Sequence, residues 1–442
     1  MKRAGFFLAV IFGVGAVLAA AEEIPEADRR RETVKFGTDA EILGLVTKLE
    51  AEKADYLDGE LLALLDSTGN PKIKEILFSL FARRKLAGAE KRALRVIAER
   101  DEEKRPVVEA AIAYVGALAP KGASESLRDI IEETEGPYLS AAIRALGLSG
   151  GKADAEFLMD RWEKDSPTEA VQQEIVIALG ELGYDTATGL LEDVVEAEDS
   201  KPVRKMAALE SLAKIGKGLE AVLAALSDAD ANVRASAVAA LGPFPGADAD
   251  RAVLDAFRDS FYKARAGAAK AAGERRLESA VPYLRYRAER DEVAAVRAES
   301  LRALAKIGGE EAYQALLSVF ETPKTGENLQ VVAAEALLSG FSDKSVGKIV
   351  LAADSAREKK RTVYANGLLK ALAATKSSGL EDLAGRLLAS KDIVDRHYGL
   401  DIVIANTFGA HVDKIRELAK EKNESLAGKA RAALAALGAA AE

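Results

Sequence analysis

Apolar residues along this chain fall at helical spacing. From about residue 38 onward, stretches of roughly ten residues carry apolar side chains at i, i+3 or i+4, and i+7, separated by short breaks of Gly, Asp and Lys. That spacing gives each helix one apolar stripe. The residue-by-residue alternation of a half-buried strand is missing, so the pattern predicts an all-α chain.

The helices come in pairs, and the pairs recur. "VRAESLRALAKIGG" from Val296, "VRASAVAALG" from Val233 and "VQQEIVIALGELG" from Val171 each begin on valine. Each carries a small residue and a leucine seven and eight positions on, then a further small residue, often glycine. Equivalent starts stand at Val107, Tyr138, Val171, Arg204, Val233, Ala264, Val296, Val331, Tyr364, His397 and Lys429, spaced 29 to 35 residues apart. Ile73 and residues 38–66 start more degenerate copies, so the count is eleven to thirteen units. The second helix of a unit is typified by "GLEAVLAAL" (218–226), "SAVPYLRYRA" (279–288) and "EEAYQALLSVF" (310–320). One unit cannot bury both of its stripes, but stacked units bury them against their neighbours.

The residue choices fit such stacking. Ala237, Ala239 and Ala240 let helix axes approach closely. Gly147, Gly180, Gly242 and Gly273 are expected to supply the left-handed residue that stops the first helix. Pro282 suits the first turn of a second helix. Five residues before each start, eight of eleven residues are acidic, Asp228, Asp259 and Asp291 among them, while Ser166, Gly326 and Lys359 are not. An acid there accepts from the free N–H groups of the helix start. Arg234, Arg265 and Arg297 follow their starts, and are expected to pair with these acids between units as a polar ladder that fixes the register.

These features resemble HEAT-like repeats of the short, phycobilisome-lyase type, whose pattern is an acid, Val-Arg, an Ala-rich helix ending in Leu-Gly-x-Ile-Gly, and a second helix with Pro-x-Leu. "DEVAAVRAESLRALAKIGGEEAYQALL" (291–317) is the nearest copy; "DADANVRASAVAALG" and "RRLESAVPYL" match separate halves. The resemblance covers about residues 70–442, and more weakly from 38. It implies an α-solenoid, a superhelix of stacked two-helix repeats, over residues 37–442, with second helices lining the concave face. Such repeats serve scaffolds, adaptors and chromophore lyases alike, so the fold alone does not give the function. Residues 322–376 depart from the pattern and predict an irregularity in the stack.

Residues 1–21 read as an export signal: Lys2 and Arg3, the apolar run "AGFFLAVIFGVGAVLAA", and Ala19-Ala20-Ala21 before Glu22. Residues 22–36 are charged and read as a spacer. Cleavage would leave a periplasmic or secreted chain with no transmembrane segment; an uncleaved N-terminal helix would anchor it in the inner membrane. Removing Lys2 and Arg3 takes the formal charge from −9 to −11. That acidity, with a pI near 5.3, argues against nucleic acid as a partner. Without cysteine there is no disulfide, thiol nucleophile or thiolate metal site.

Candidate chemistry is sparse. Asp228, Asp230 and Asn232 mimic the start of a calcium loop, but Val233 and Ala239 stand where it needs glycine and a bidentate glutamate. His397 and Asp401 share a helix face at i, i+4, while His411 lies apart, and two distant histidines do not make a zinc site. No phosphate loop, HExxH or nucleophile elbow is present, so neither catalysis nor a cofactor is expected. Residues 258–290 stand out, with nine basic and four acidic side chains, a net +5 inside a chain of −9. Phe261, Tyr262, Tyr283 and Tyr286 are interleaved there. Tyr283 with Arg287, and Tyr286 with Arg290, are i, i+4 pairs, and Tyr and Arg are favoured binding anchors. The candidate partner-binding set is Arg276, Tyr283, Arg285, Tyr286, Arg287 and Arg290. It suits an acidic protein segment or an anionic envelope lipid or polymer. The expectation is a non-enzymatic envelope scaffold; the alternatives are lipid or peptidoglycan binding and, by analogy with the lyases, chromophore handling.

Overall fold

A computed structural model describes residues 26–133, 136–164 and 167–439. The expected export signal and Ser166 lie outside the described residues. Among the described residues every regular element is a helix, as the apolar spacing predicts. No helix there is long and apolar enough to cross a membrane. The chain forms two compact units, divided after Ser149.

The first unit stacks the hairpins Asp39–Ala51 with Asp58–Ser67, Pro71–Arg84 with Glu90–Ala98, and Arg105–Leu118 with Ala123–Glu132, followed by Leu139–Ser149. Leu49, Leu61, Leu77, Phe78, Phe81 and Tyr114 are fully buried between them. Burying the Tyr114 hydroxyl requires partners; it donates to the Leu86 carbonyl at 2.9 Å and accepts from the Ala89 N–H at 3.1 Å. Part of the charged stretch expected as a spacer, Glu26–Phe36, is a helix. It buries Val34, and Arg30 ties it to Glu52 at 2.6 Å.

The second unit repeats the same plan. Its first helices include Glu169–Leu182, Pro202–Ile215, Ala231–Ala240, Tyr262–Glu274 and Ala294–Ile307, each packed on the next; Thr188–Glu196, Leu219–Ala225, Ala247–Ala256, Val281–Arg290 and Gly309–Glu321 are the second helices between them. Pro282 sits in the first turn of Val281–Arg290, as expected. The glycines need a correction. Gly180 and Gly273 lie inside their helices without positive φ, and neither Gly147 nor Gly242 is left-handed. Among the described residues the left-handed helix stops are Lys85, Ala119, Gly183 (φ 71°), Gly216 (φ 74°) and Thr407. Gly180 and Gly273 instead mark where successive first helices touch. A Cβ on Gly273 would come within 2.9 Å of Ala303 Cα, and one on Gly180 within 2.7 Å of Ser211 Cα. At these two junctions the small residue nine positions after one start and the small residue seven positions after the next are thus a crossing point, which only small side chains permit.

Glu327–Glu358 is continuous except at Phe341, whose φ −144° and ψ 40° break it into the two helices of one repeat with no loop between them. The Phe341 ring packs at 5.3 Å from that of Tyr313 in the preceding repeat.

Candidate functional site

The candidate helix Val281–Arg290 is held by the ladder beneath it. Arg265 grips the Asp291 carboxylate with Nε and Nη2 at 2.8 and 2.9 Å, and both side chains are buried. One repeat earlier, Arg234 grips Asp259 at 2.9 and 3.1 Å, and before that Lys205 meets Asp228 at 3.2 Å. Each aspartate also accepts the N–H two residues on: Asp230, Phe261 and Val293 at 2.8, 2.7 and 3.0 Å. The bidentate pairs are charge-assisted and planar. The Arg234 hydrogen bond is the main cause holding the Asp259 carboxyl below its usual range. At Asp291 burial pushes upward, but the hydrogen bonds from Arg265 and the Val293 N–H, with the charges of Arg265 and Arg287, outweigh it and hold the carboxyl low. The expected third pairing fails: Arg297 meets no carboxylate among the described residues, and its Nε is buried without a partner.

Val281, Leu284 and Ala288 form the buried stripe of the candidate helix. Tyr283 and Arg287 are half-buried at its margin, and Tyr286, Arg285 and Arg290 are exposed. Tyr283, Tyr286 and Arg287 line one open cavity of about 440 Å³ with Phe257, Arg258 and Pro282. The i, i+4 pairing expected between tyrosines and arginines gives way to another arrangement. Tyr283 stacks on Phe257 with centroids 5.6 Å apart; Arg258 lies 5.8 Å from the Tyr283 ring and Arg287 5.5 Å from that of Tyr286. Arg287 also donates to the Phe257 carbonyl and pairs with Asp291 at 3.3 Å, which makes it part of the support. Arg285 is held loosely by Glu289 at 3.2 Å, both at the surface. Arg290 has no ion-pair partner among the described residues. Arg276, exposed with φ 51°, sits in the turn before the helix and does not line the cavity. Two further arginines of the basic segment are internal: Arg265, in the ladder, and Arg275, whose Nε pairs with Asp250 at 3.0 Å while Nη1 bonds the Leu241 carbonyl at 3.1 Å. The net +5 therefore overstates the charge offered to solvent. The sequence did not single out Phe257 or Arg258 as cavity walls, because they belong to the end of the previous second helix.

The other candidates resolve into structural roles. Asp230 caps Ala231–Ala240, accepting from the Asn232 and Val233 N–H groups at 2.7 and 3.3 Å, and Asp228 is occupied by Lys205 and the Asp230 N–H. Asp401 is taken by Lys429 at 2.6 Å rather than by His397. Burial, followed by the Lys429 charge, pushes the His397 pKa down. Among the described residues no group of three His, Asp or Glu is placed to hold a metal.

A family model described as "Spirochaete HEAT repeat protein" matches residues 34–433. No curated protein matches the chain. Among solved structures it is similar to human deoxyhypusine hydroxylase in complex with glycerol, at 17% identity and a TM-score of 0.26, over 61% of this chain and 97% of that one. It is also similar to an engineered protein, at 18% identity and a TM-score of 0.32, over 86% of this chain and 98% of that one.

Proposed function

The chain belongs to the spirochaete HEAT repeat protein family, and on that premise we propose that it is a non-enzymatic interaction scaffold of the bacterial cell envelope, presenting a helical surface to a protein partner with an acidic segment. The observation that carries this reading is the surface of Val281–Arg290. Tyr286 stands 55% exposed beside Arg285 and Arg290, next to a cavity walled by Phe257, Tyr283 and two arginines. Large rigid aromatics flanked by weakly engaged guanidiniums are the composition of a binding hot spot. The ladder below fixes the helix, so little ordering cost remains to be met on binding. The export pattern of residues 1–21 supports a periplasmic or secreted location.

The test is a photo-crosslinking residue at position 286, introduced into the full chain in its native envelope. A discrete protein adduct is expected, and Arg285→Glu with Arg290→Glu should reduce it about tenfold without changing the melting temperature. Arg287 is unsuited to this test, since a glutamate there would face buried Asp291 and weaken the fold. Crosslinking only to lipid or glycan, or a protein adduct indifferent to both charge reversals, would overturn the reading.

A further inference from the structure

Arg297 holds, in its repeat, the place that Arg234 and Arg265 hold in the two before it: one residue after the start. Those two each close Nε and Nη2 on an aspartate carboxylate whose Oδ1 also takes an N–H two residues on. In the next repeat the aspartate's position is Gly326, with φ +85° and no side chain. The position has room, since a Cβ there would meet nothing within 4 Å. The Arg297 guanidinium has no ion pair among the described residues, and its Nε is buried without a hydrogen bond. It lines an open cavity of about 620 Å³ together with Gly326, Glu327 and Asn328. In the two earlier repeats the aspartate stands three residues before the helix and takes the N–H of the N-cap residue, Phe261 or Val293; here the helix Glu327–Glu358 begins directly after Gly326, at that wall, and no side chain caps its first-turn N–H groups. The one acid beside them, Glu327, is paired with Arg361 at 2.8 Å.

A guanidinium with a buried, unbonded Nε is costly, and neighbouring repeats retire that cost with a carboxylate. We propose that Arg297 and the uncapped turn at 326–328 form a vacant rung of the ladder: a carboxylate seat, filled by an aspartate or glutamate side chain of the scaffold's protein partner. The identity of the occupant rests on the scaffold reading, whereas the seat rests only on the geometry of Arg297 and Gly326. A carboxylate is favoured over phosphate because in the two preceding rungs a planar, single-charge group is what the equivalent arginine holds.

The probes are N-acetyl-aspartate amide, its neutral asparagine counterpart, and inorganic phosphate, each titrated into the full chain at constant ionic strength. Binding is read from the Arg297 Nε–H and Asn328 N–H resonances, the first assigned by its loss in Arg297→Lys. The aspartate probe should shift both signals saturably while the asparagine probe shifts neither. Arg297→Gln should weaken the Asn328 response on the order of tenfold, with an unchanged circular dichroism spectrum because Arg297 supports no internal carboxylate. A flat titration, an Asn328 response untouched by Arg297→Gln, or phosphate binding more tightly than the aspartate probe would each overturn the seat as proposed. The partner experiment at position 286 can fail without altering these shifts, and these shifts can fail without altering that experiment.

Discussion

At the scale of single residues, similar side chains do opposite things according to what lies beside them. Gly273 and Gly347 are both helical glycines. A methyl on Gly273 would run into the backbone of Ala303, whereas one on Gly347 would meet nothing within 4 Å. Gly273→Ala should therefore cost about 1–3 kcal/mol by forcing two first helices apart. Gly347→Ala should stabilise by about 0.5–1 kcal/mol through helix propensity. Urea titrations of the two variants check the opposite signs. The same logic applies to charge. Asp291 is fully buried under Arg265, so Asp291→Ala should cost about 3–5 kcal/mol by leaving a buried guanidinium unpaired. Because the folded carboxyls of Asp259 and Asp291 are held low, their contribution is complete above about pH 4 and is lost as the pH falls through their folded midpoints. His397 also gives an acid-side effect. Burial lowers its folded pKa, so below about pH 6.5 the unfolded chain takes up a proton that the folded chain resists. Stability is then independent of His397 above that pH and declines as the pH drops toward the folded midpoint. An NMR titration should place the His397 midpoint below about 6.5, and a midpoint above that would contradict the burial argument.

At the scale of elements, helix starts explain what looked like metal chemistry. Asp230 is an N-cap, so Asp230→Ala should lower stability by about 0.5–2 kcal/mol, and added calcium should leave the melting temperature of the unaltered chain unchanged. A calcium-dependent rise would reinstate the loop reading. Helix pairing, repeat starts and the Arg234 and Arg265 rungs were legible in the sequence because stacking imposes the same spacing on every copy. Glycine roles were not: a glycine near a helix end satisfies both a left-handed stop and a close crossing, and only the position of the next repeat distinguishes them. At Gly273 that neighbour is Ala303, thirty residues away. The candidate site was legible only in part. Tyr283, Tyr286 and Arg287 do line one cavity, but its other wall, Phe257 and Arg258, comes from the preceding second helix, and the inward turn of Arg265 and Arg275 depends on partners 25 to 26 residues away. The vacant rung at Arg297 was half legible: Gly326 visibly broke the acidic column, but a missing acid does not reveal whether another residue takes its place.

At the scale of the whole molecule, each repeat gains its stability from its own hairpin and from the neighbours it touches, and the chain forms two compact units. Such an array need not unfold all at once, so a single free energy describes it poorly. Local damage should then stay local. Amide hydrogen exchange on Asp291→Ala should show loss of protection centred on Tyr262–Glu274, Val281–Arg290 and Ala294–Ile307, the helices that the Arg265–Asp291 pair joins or adjoins. Protection should recover with each repeat away from the lesion. Pro71–Arg84 and Arg105–Leu118, in the first unit, should exchange at wild-type rates. A uniform fall in protection across both units would mean that the chain behaves as one cooperative domain. The nearest-neighbour account would then fail, and with it the idea that the ladder sets register one repeat at a time. A confined fall would mean that the chain can lose or reshape one rung without losing the array, which is the condition under which a vacant rung such as that at Arg297 is tolerated and free to take an outside carboxylate.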